Sequence, residues 1–263
     1  MMSQSLSPRK NLGARQARSQ RPGTVRADRS AAVAAGSLYI TGTVAGVLSM
    51  AVSAPVRGAH DPLAAAAEHP GAVVTGALLV LVMGLSLAFV PVVLFPVLRR
   101  VDEALAIGYL VVRGALETAC YLVLALSWLL LAPVGEVVSA GPGTASPMGM
   151  RLGGLLFAAD AVDAVLAVVF GCGAVLLYVL LYRSRLAPRW IAVWGLAAIA
   201  VYVVADLLAM YDVVGAGSTE QVLMLMPLAV QEMVLAVWMI ARGFRSTAGA
   251  STAQPADEAL VPA

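Results

Sequence analysis

The residues Tyr182-Arg183-Ser184-Arg185-Leu186-Ala187-Pro188-Arg189-Trp190 lie between two long apolar runs, and they limit the possible folds more than any other stretch. Three arginines within seven residues are too costly to leave in hydrocarbon, and Pro188 cannot continue a helix that has just ended. The stretch reads as a tight turn between two membrane spans. By the positive-inside rule it faces the cytoplasm, which sets the direction of every other span. Composition supports this reading. The 263 residues are 60% hydrophobic and 12% charged, with a mean hydropathy of +0.88, whereas a soluble domain carries roughly 25% charged residues.

Six apolar runs follow the same logic: residues 31–53, 72–98, 104–132, 153–182, 190–211 and 221–244. Each is long enough to span, and runs of this kind form helices rather than the alternating strands of a barrel. The expected fold is all-α, a polytopic six-helix transmembrane bundle with both termini cytoplasmic. Residues 1–30, with Arg9, Lys10, Arg15, Arg18, Arg21, Arg26 and Arg29 among polar neighbours, read as a disordered basic tail. Residues 31–245 form the transmembrane domain, and residues 246–263 a second disordered tail. The first run is longer than the apolar core of about 7 to 15 residues in a cleaved signal peptide, so it reads as a retained helix. This topology leaves Arg57 and Arg151 outside and Arg113 as the one basic residue within a span. The lopsided charge thus reports topology rather than a nucleic-acid partner. The expected environment is the lipid bilayer, and the richness in Ala, Val, Gly and Arg suits a GC-rich bacterial genome and its inner membrane.

Several motifs carry less than they suggest. Gly42 and Gly46 form a GxxxG pattern that lets two backbones approach closely, most simply within the bundle. His60, Asp61, Glu68 and His69 share an outer loop without helical metal-ligand spacing. Cys120 and Cys172 fall toward opposite leaflets, beyond the roughly 7 Å that a disulfide allows between Cα atoms. Pro91 and Pro96 are expected to kink the second span. Neither a metal nor another cofactor is implied.

The turn at residues 182–195, the segment from Arg113 to Glu117, and the segment from Gln231 to Trp238 ahead of Gly243-Phe244 together resemble the domain-of-unknown-function family 4386. The resemblance extends over roughly residues 29–245, with Ala187 standing where related sequences carry a larger aliphatic residue. It implies a bacterial integral membrane bundle and brings no catalytic residues with it.

The candidate site must therefore come from chemistry. An ionisable residue at the bilayer centre costs about 2.5 to 3.5 kcal/mol on insertion scales, which makes it a functional hypothesis by default. Counting from the cytoplasmic ends puts Arg113 and Glu232 at one level, with Glu117 about 6 Å further outward by the helical rise. Tyr121 continues the Arg113–Glu117 face, and Asp160, Asp163 and Asp206 come higher still. One arginine cannot neutralise several carboxylates in low dielectric, so some are protonated or a cation or water occupies the space. Three function classes fit. The acidic column binds or transports a small cationic ligand, an amine or protons; an Arg/Glu pair fixes helix register in an assembly or sensory-partner protein; or a pair such as Asp163 and Asp206 activates water in an intramembrane hydrolase. The chain lacks a P-loop, a GxGD motif and any intramembrane histidine. That weakens the enzymatic class most.

Overall fold

The structure is a computed structural model that describes residues 22–141, 146–151, 159–211, 213–215 and 218–244. The expected tails lie outside these residues up to residue 21 and from residue 245 onward. The described residues form helices: α1 (Pro22–Arg57), α2 (Pro62–Glu68), α3 (Pro70–Leu98), α4 (Glu103–Tyr109), a π-helical segment (Leu110–Leu116), α5 (Glu117–Ala140), α6 (Ala159–Ser184), α7 (Arg189–Met210) and α8 (Thr219–Arg242). Among them are six helices long and apolar enough to cross a membrane, the third made of α4, the π segment and α5 in one rod. This is the expected multi-pass helical bundle. The first helix starts at Pro22, well ahead of the expected start of the first span at Ala31, and the short helix α2 is an addition to the expected outer loop.

Local chemistry sets the helix boundaries. Proline occupies the first helical position of α1, α2 and α3, where its missing N–H is no loss. The side chains of Asp61, Asp102 and Ser218 accept from the backbone N–H groups of Ala64, Leu105 and Gln221, capping α2, α4 and α8. Pro91 and Pro96 both lie inside α3, which continues through them without a break. The basic turn forms as expected: α6 stops at Ser184, α7 begins at Arg189, and Arg185 takes the left-handed backbone conformation, with φ 55°. Leu186 and Ala187 of this turn are buried. α8 ends at Gly243, where φ is 68°, and the Arg29 guanidinium donates to the Ile240 carbonyl beside it.

The six spanning elements pack as a closed ring, each against its neighbour in sequence, and α8 closes the ring against α1. The glycine motif serves this packing internally. A Cβ at Gly42 would meet Leu87 of α3 at 3.1 Å, and one at Gly46 would meet Met83 at 2.6 Å. The outer surface carries large apolar side chains such as Leu48, Leu78, Phe89, Leu126 and Val237, as lipid contact requires. At one end of the ring Arg100 pairs with Asp28 at 2.9 Å and Arg183 with Asp102 at 3.5 Å, and Arg99, Arg185, Arg189 and Arg242 gather there too. Arg57 marks the opposite end, where its guanidinium lies 4.4 Å over the Trp128 ring and its Nε donates to Ser53.

Candidate functional site

A ring of six helices has a centre that some side chain must fill. Here the π segment points Arg113 into it. Seven residues bond with the wider i→i+5 spacing, so the Glu117 N–H reaches back to the Val112 carbonyl. π-helical turns inside α-helices frequently mark functional sites, and this one carries the only arginine among the membrane-crossing segments that lies away from both ends. Gly173 of α6 makes room for it, because a Cβ there would stand 3.3 Å from that of Arg113.

The guanidinium meets two carboxylates from different elements. Nε lies 3.5 Å from Glu117 Oε2, one turn along the same rod, and Nη2 lies 3.5 Å from Glu232 Oε1 on α8, across the ring. Aromatic faces flank it, with Phe170 of α6 at 4.6 Å and Tyr39 of α1 at 5.5 Å from the ring centres. Arg113 and Glu232, which counting along the sequence puts at one level, are paired. The pairing is nevertheless incomplete. Nε and Nη1 of Arg113, both oxygens of Glu117 and the hydroxyl of Tyr109 are buried with no hydrogen-bond partner among the described residues. The Arg113 and Glu117 side chains are each 1% exposed, whereas Glu232 is 15% exposed.

That exposure opens onto a cavity of about 210 Å3 lined by Arg113, Glu232, Tyr121, Phe170 and Tyr202 among apolar neighbours from α1, α3 and α8. Tyr121 stands on its wall because Gly84 of α3 gives way to it: a Cβ at Gly84 would lie 2.7 Å from that of Tyr121. The residues expected from sequence therefore divide. Arg113, Glu232 and Tyr121 line the cavity, and Glu117, which does not line it, is joined to them through its ion pair with Arg113. Asp206 does not line the cavity, and its carboxylate accepts from Gln221 Nε2 at 2.9 Å. Asp160 and Asp163 lie near the start of α6, and their side chains fall outside the described residues. No set of three potential metal ligands occurs among the described residues.

Phe170, Tyr39 and the π segment have no counterpart in the sequence reading. The aromatic residues at positions 39 and 170 are legible, but which face of each helix turns inward is not. Gln231 enters the sequence reading only as the start of a segment that resembles the family, with no role of its own. Its Oε1 accepts from the Tyr178 hydroxyl at 2.7 Å and its Nε2 donates to the Ile191 carbonyl at 3.0 Å, locking α8 to α6 and α7.

The family described as Domain of unknown function (DUF4386) matches residues 34–243. The chain belongs to this family. The match begins inside the first membrane-crossing helix and takes in the other five, the π segment, the Arg113 cluster and the basic turn at 185–188, so DUF4386 membership and the resemblance read from these segments agree. No curated protein and no solved structure matches the chain.

Proposed function

We propose that this DUF4386 protein recognises a small amine or other compact cation at the Arg113–Glu117–Glu232 cluster, as the binding step of transport or sensing across a bacterial inner membrane. The observation that carries the reading is the charge imbalance beside a cavity. Two carboxylates, the buried Glu117 and the partly exposed Glu232 on the cavity wall, share one guanidinium, and neither oxygen of Glu117 has a hydrogen-bond partner among the described residues. An ammonium group donates to carboxylates and is attracted to the faces of Phe170, Tyr121 and Tyr202. The 210 Å3 volume is below the roughly 300 to 1,000 Å3 of sites for drug-sized ligands, which favours a ligand of few heavy atoms. Protons are the smallest cation the same cluster accommodates.

The test is thermal unfolding of the purified protein titrated with ammonium, methylammonium and benzylammonium chlorides, against sodium chloride at equal ionic strength. A ligand stabilises by mass action. The shift should disappear in Glu232→Gln, and a shift that survives this change locates the site elsewhere.

One observation favours a second reading. Arg113 bridges the third span and α8 while resting on Phe170 and Tyr39, as a purely structural tie would. On that reading no amine stabilises the protein.

The proposed orientation has the arginine-rich end in the cytoplasm. In a background with Cys120→Ala and Cys172→Ala, an impermeant thiol reagent should label Glu68→Cys from outside sealed cells and leave Arg185→Cys untouched. The reverse pattern would invert the topology.

A further inference from the structure

A second hollow lies on the outer surface between α1 and α8, a groove of about 650 Å3. Met233, Val234, Val237 and Trp238 form its wall, Thr43 of α1 stands at one end and Arg242 at the other. From Ala229 to Arg242 the helix rises about 20 Å at 1.5 Å per residue. One leaflet of the hydrocarbon core is about 15 Å deep, so the groove runs the depth of a leaflet from the surface to the midplane.

Its chemistry is graded in the same direction. The wall is apolar, and the surface end carries a guanidinium. Arg242 is exposed and has no carboxylate within ion-pair distance among the described residues. At the same end Arg100 pairs with Asp28, Arg183 pairs with Asp102 and Arg29 donates to the Ile240 carbonyl; Arg99, Arg185 and Arg189 have no carboxylate partner among the described residues either, and Arg242 is the arginine that lines the groove. Trp238, one turn before Arg242, supplies the ring that suits the boundary between headgroups and chains.

We propose that this groove binds an anionic phospholipid, with the phosphate on Arg242 and one acyl chain lying along α8 toward Thr43. Thr43 and Ala229 line both the groove and the polar cavity, so the end of the chain rests on residues that the groove shares with the cavity. The inference stands independently of which ligand the cavity takes.

The full chain, delipidated in mild detergent, is titrated with phosphatidylglycerol and with phosphatidylcholine of identical chains, and bound lipid is counted by native mass spectrometry. Phosphatidylglycerol should bind more tightly. Arg242→Gln should weaken it about fivefold, the value of one basic contact near a membrane surface, and should weaken phosphatidylcholine less, because its choline charge offsets the phosphate, so that the preference disappears. Val237→Trp fills the groove from a lipid-facing position and should weaken both lipids; Ala241→Trp serves the same purpose if the first variant unfolds. Arg99→Gln, at the same end but outside the lining of the groove, should change nothing. Equal binding of the two lipids, a preference that survives Arg242→Gln, an equal loss in Arg99→Gln, or full retention in a folded tryptophan variant each overturns the proposal.

Discussion

Gln231 and Glu232 are neighbours on α8, at the same depth in the membrane, and they meet opposite fates. Gln231 is fully buried and uses both ends of its amide, on Tyr178 and on Ile191. Glu232 faces the ring centre, where its one hydrogen bond among the described residues is a 3.5 Å approach from Arg113, beside a cavity. A saturated polar group in a membrane bundle holds helices together. An unsaturated one, adjoining space, leaves binding capacity unused. On the function proposed above, the difference separates polar residues that build the bundle from those that would meet a ligand.

Removing the arginine should produce the largest effect. Arg113→Met leaves Glu117 and Glu232 facing each other without a cation, and breaking a buried pair in this way costs about 3 to 5 kcal/mol. Changing all three residues to Met should recover most of the loss, because the desolvated charges go together. Unfolding midpoints of the single and triple variants decide the matter. A triple variant as unstable as Arg113→Met would show that the carboxylates do not depend on the guanidinium.

Two glycines test the sides of the comparison separately. A Cβ at Gly84 would collide with Tyr121 on the cavity wall, and one at Gly195 would lie 2.7 Å from the ring of Tyr178, which bonds Gln231. Overpacking costs about 1 to 3 kcal/mol, so Gly84→Ala and Gly195→Ala should destabilise alike. They should differ in amine binding, which Gly84→Ala weakens and Gly195→Ala leaves intact. Equal loss of binding in both would mean that the two regions are mechanically one.

Gln231→Leu removes the lock itself. Interhelical hydrogen bonds within membranes contribute modestly, about 0.6 kcal/mol on average and up to about 1.7. Two are lost here, so a cost of about 1 to 2 kcal/mol in unfolding free energy is expected, with amine binding unchanged. A cost above that of Arg113→Met would reverse the ranking of the two regions.

Much of this architecture is legible in the residues. Charge placement and run length identify six spans, Pro188 and its arginines mark the turn, and counting along each run brings Arg113 level with Glu232, because helical rise is constant and independent of neighbours. Rotation about each helix axis is not encoded so directly. The apolar runs are hydrophobic all round, so nothing in their pattern says that Phe170 and Tyr39 turn toward the guanidinium while Leu126 faces lipid. The π segment is hidden for a related reason. Leu110 to Leu116 has ordinary helical composition, and its wider hydrogen-bond spacing appears only in the folded backbone.

Asp206 gives the smallest expected effect and the sharpest boundary for the site. Its depth and its acidity suggest membership of an acidic column, yet its carboxylate already accepts from Gln221 at 2.9 Å and does not line the cavity. Asparagine keeps an acceptor oxygen in the same position, so Asp206→Asn should retain that bond and change stability by less than about 1 kcal/mol, as expected where no buried partner is left unmet. Amine affinity should stay within a factor of about two, a difference of roughly 0.4 kcal/mol, while Glu232→Gln abolishes binding. Isothermal titration of both variants with methylammonium separates the cases. Loss of binding in Asp206→Asn would extend the site to the end of the bundle opposite the arginines, and the comparison would then lie between saturated and unsaturated groups along a column rather than between two sides of α8.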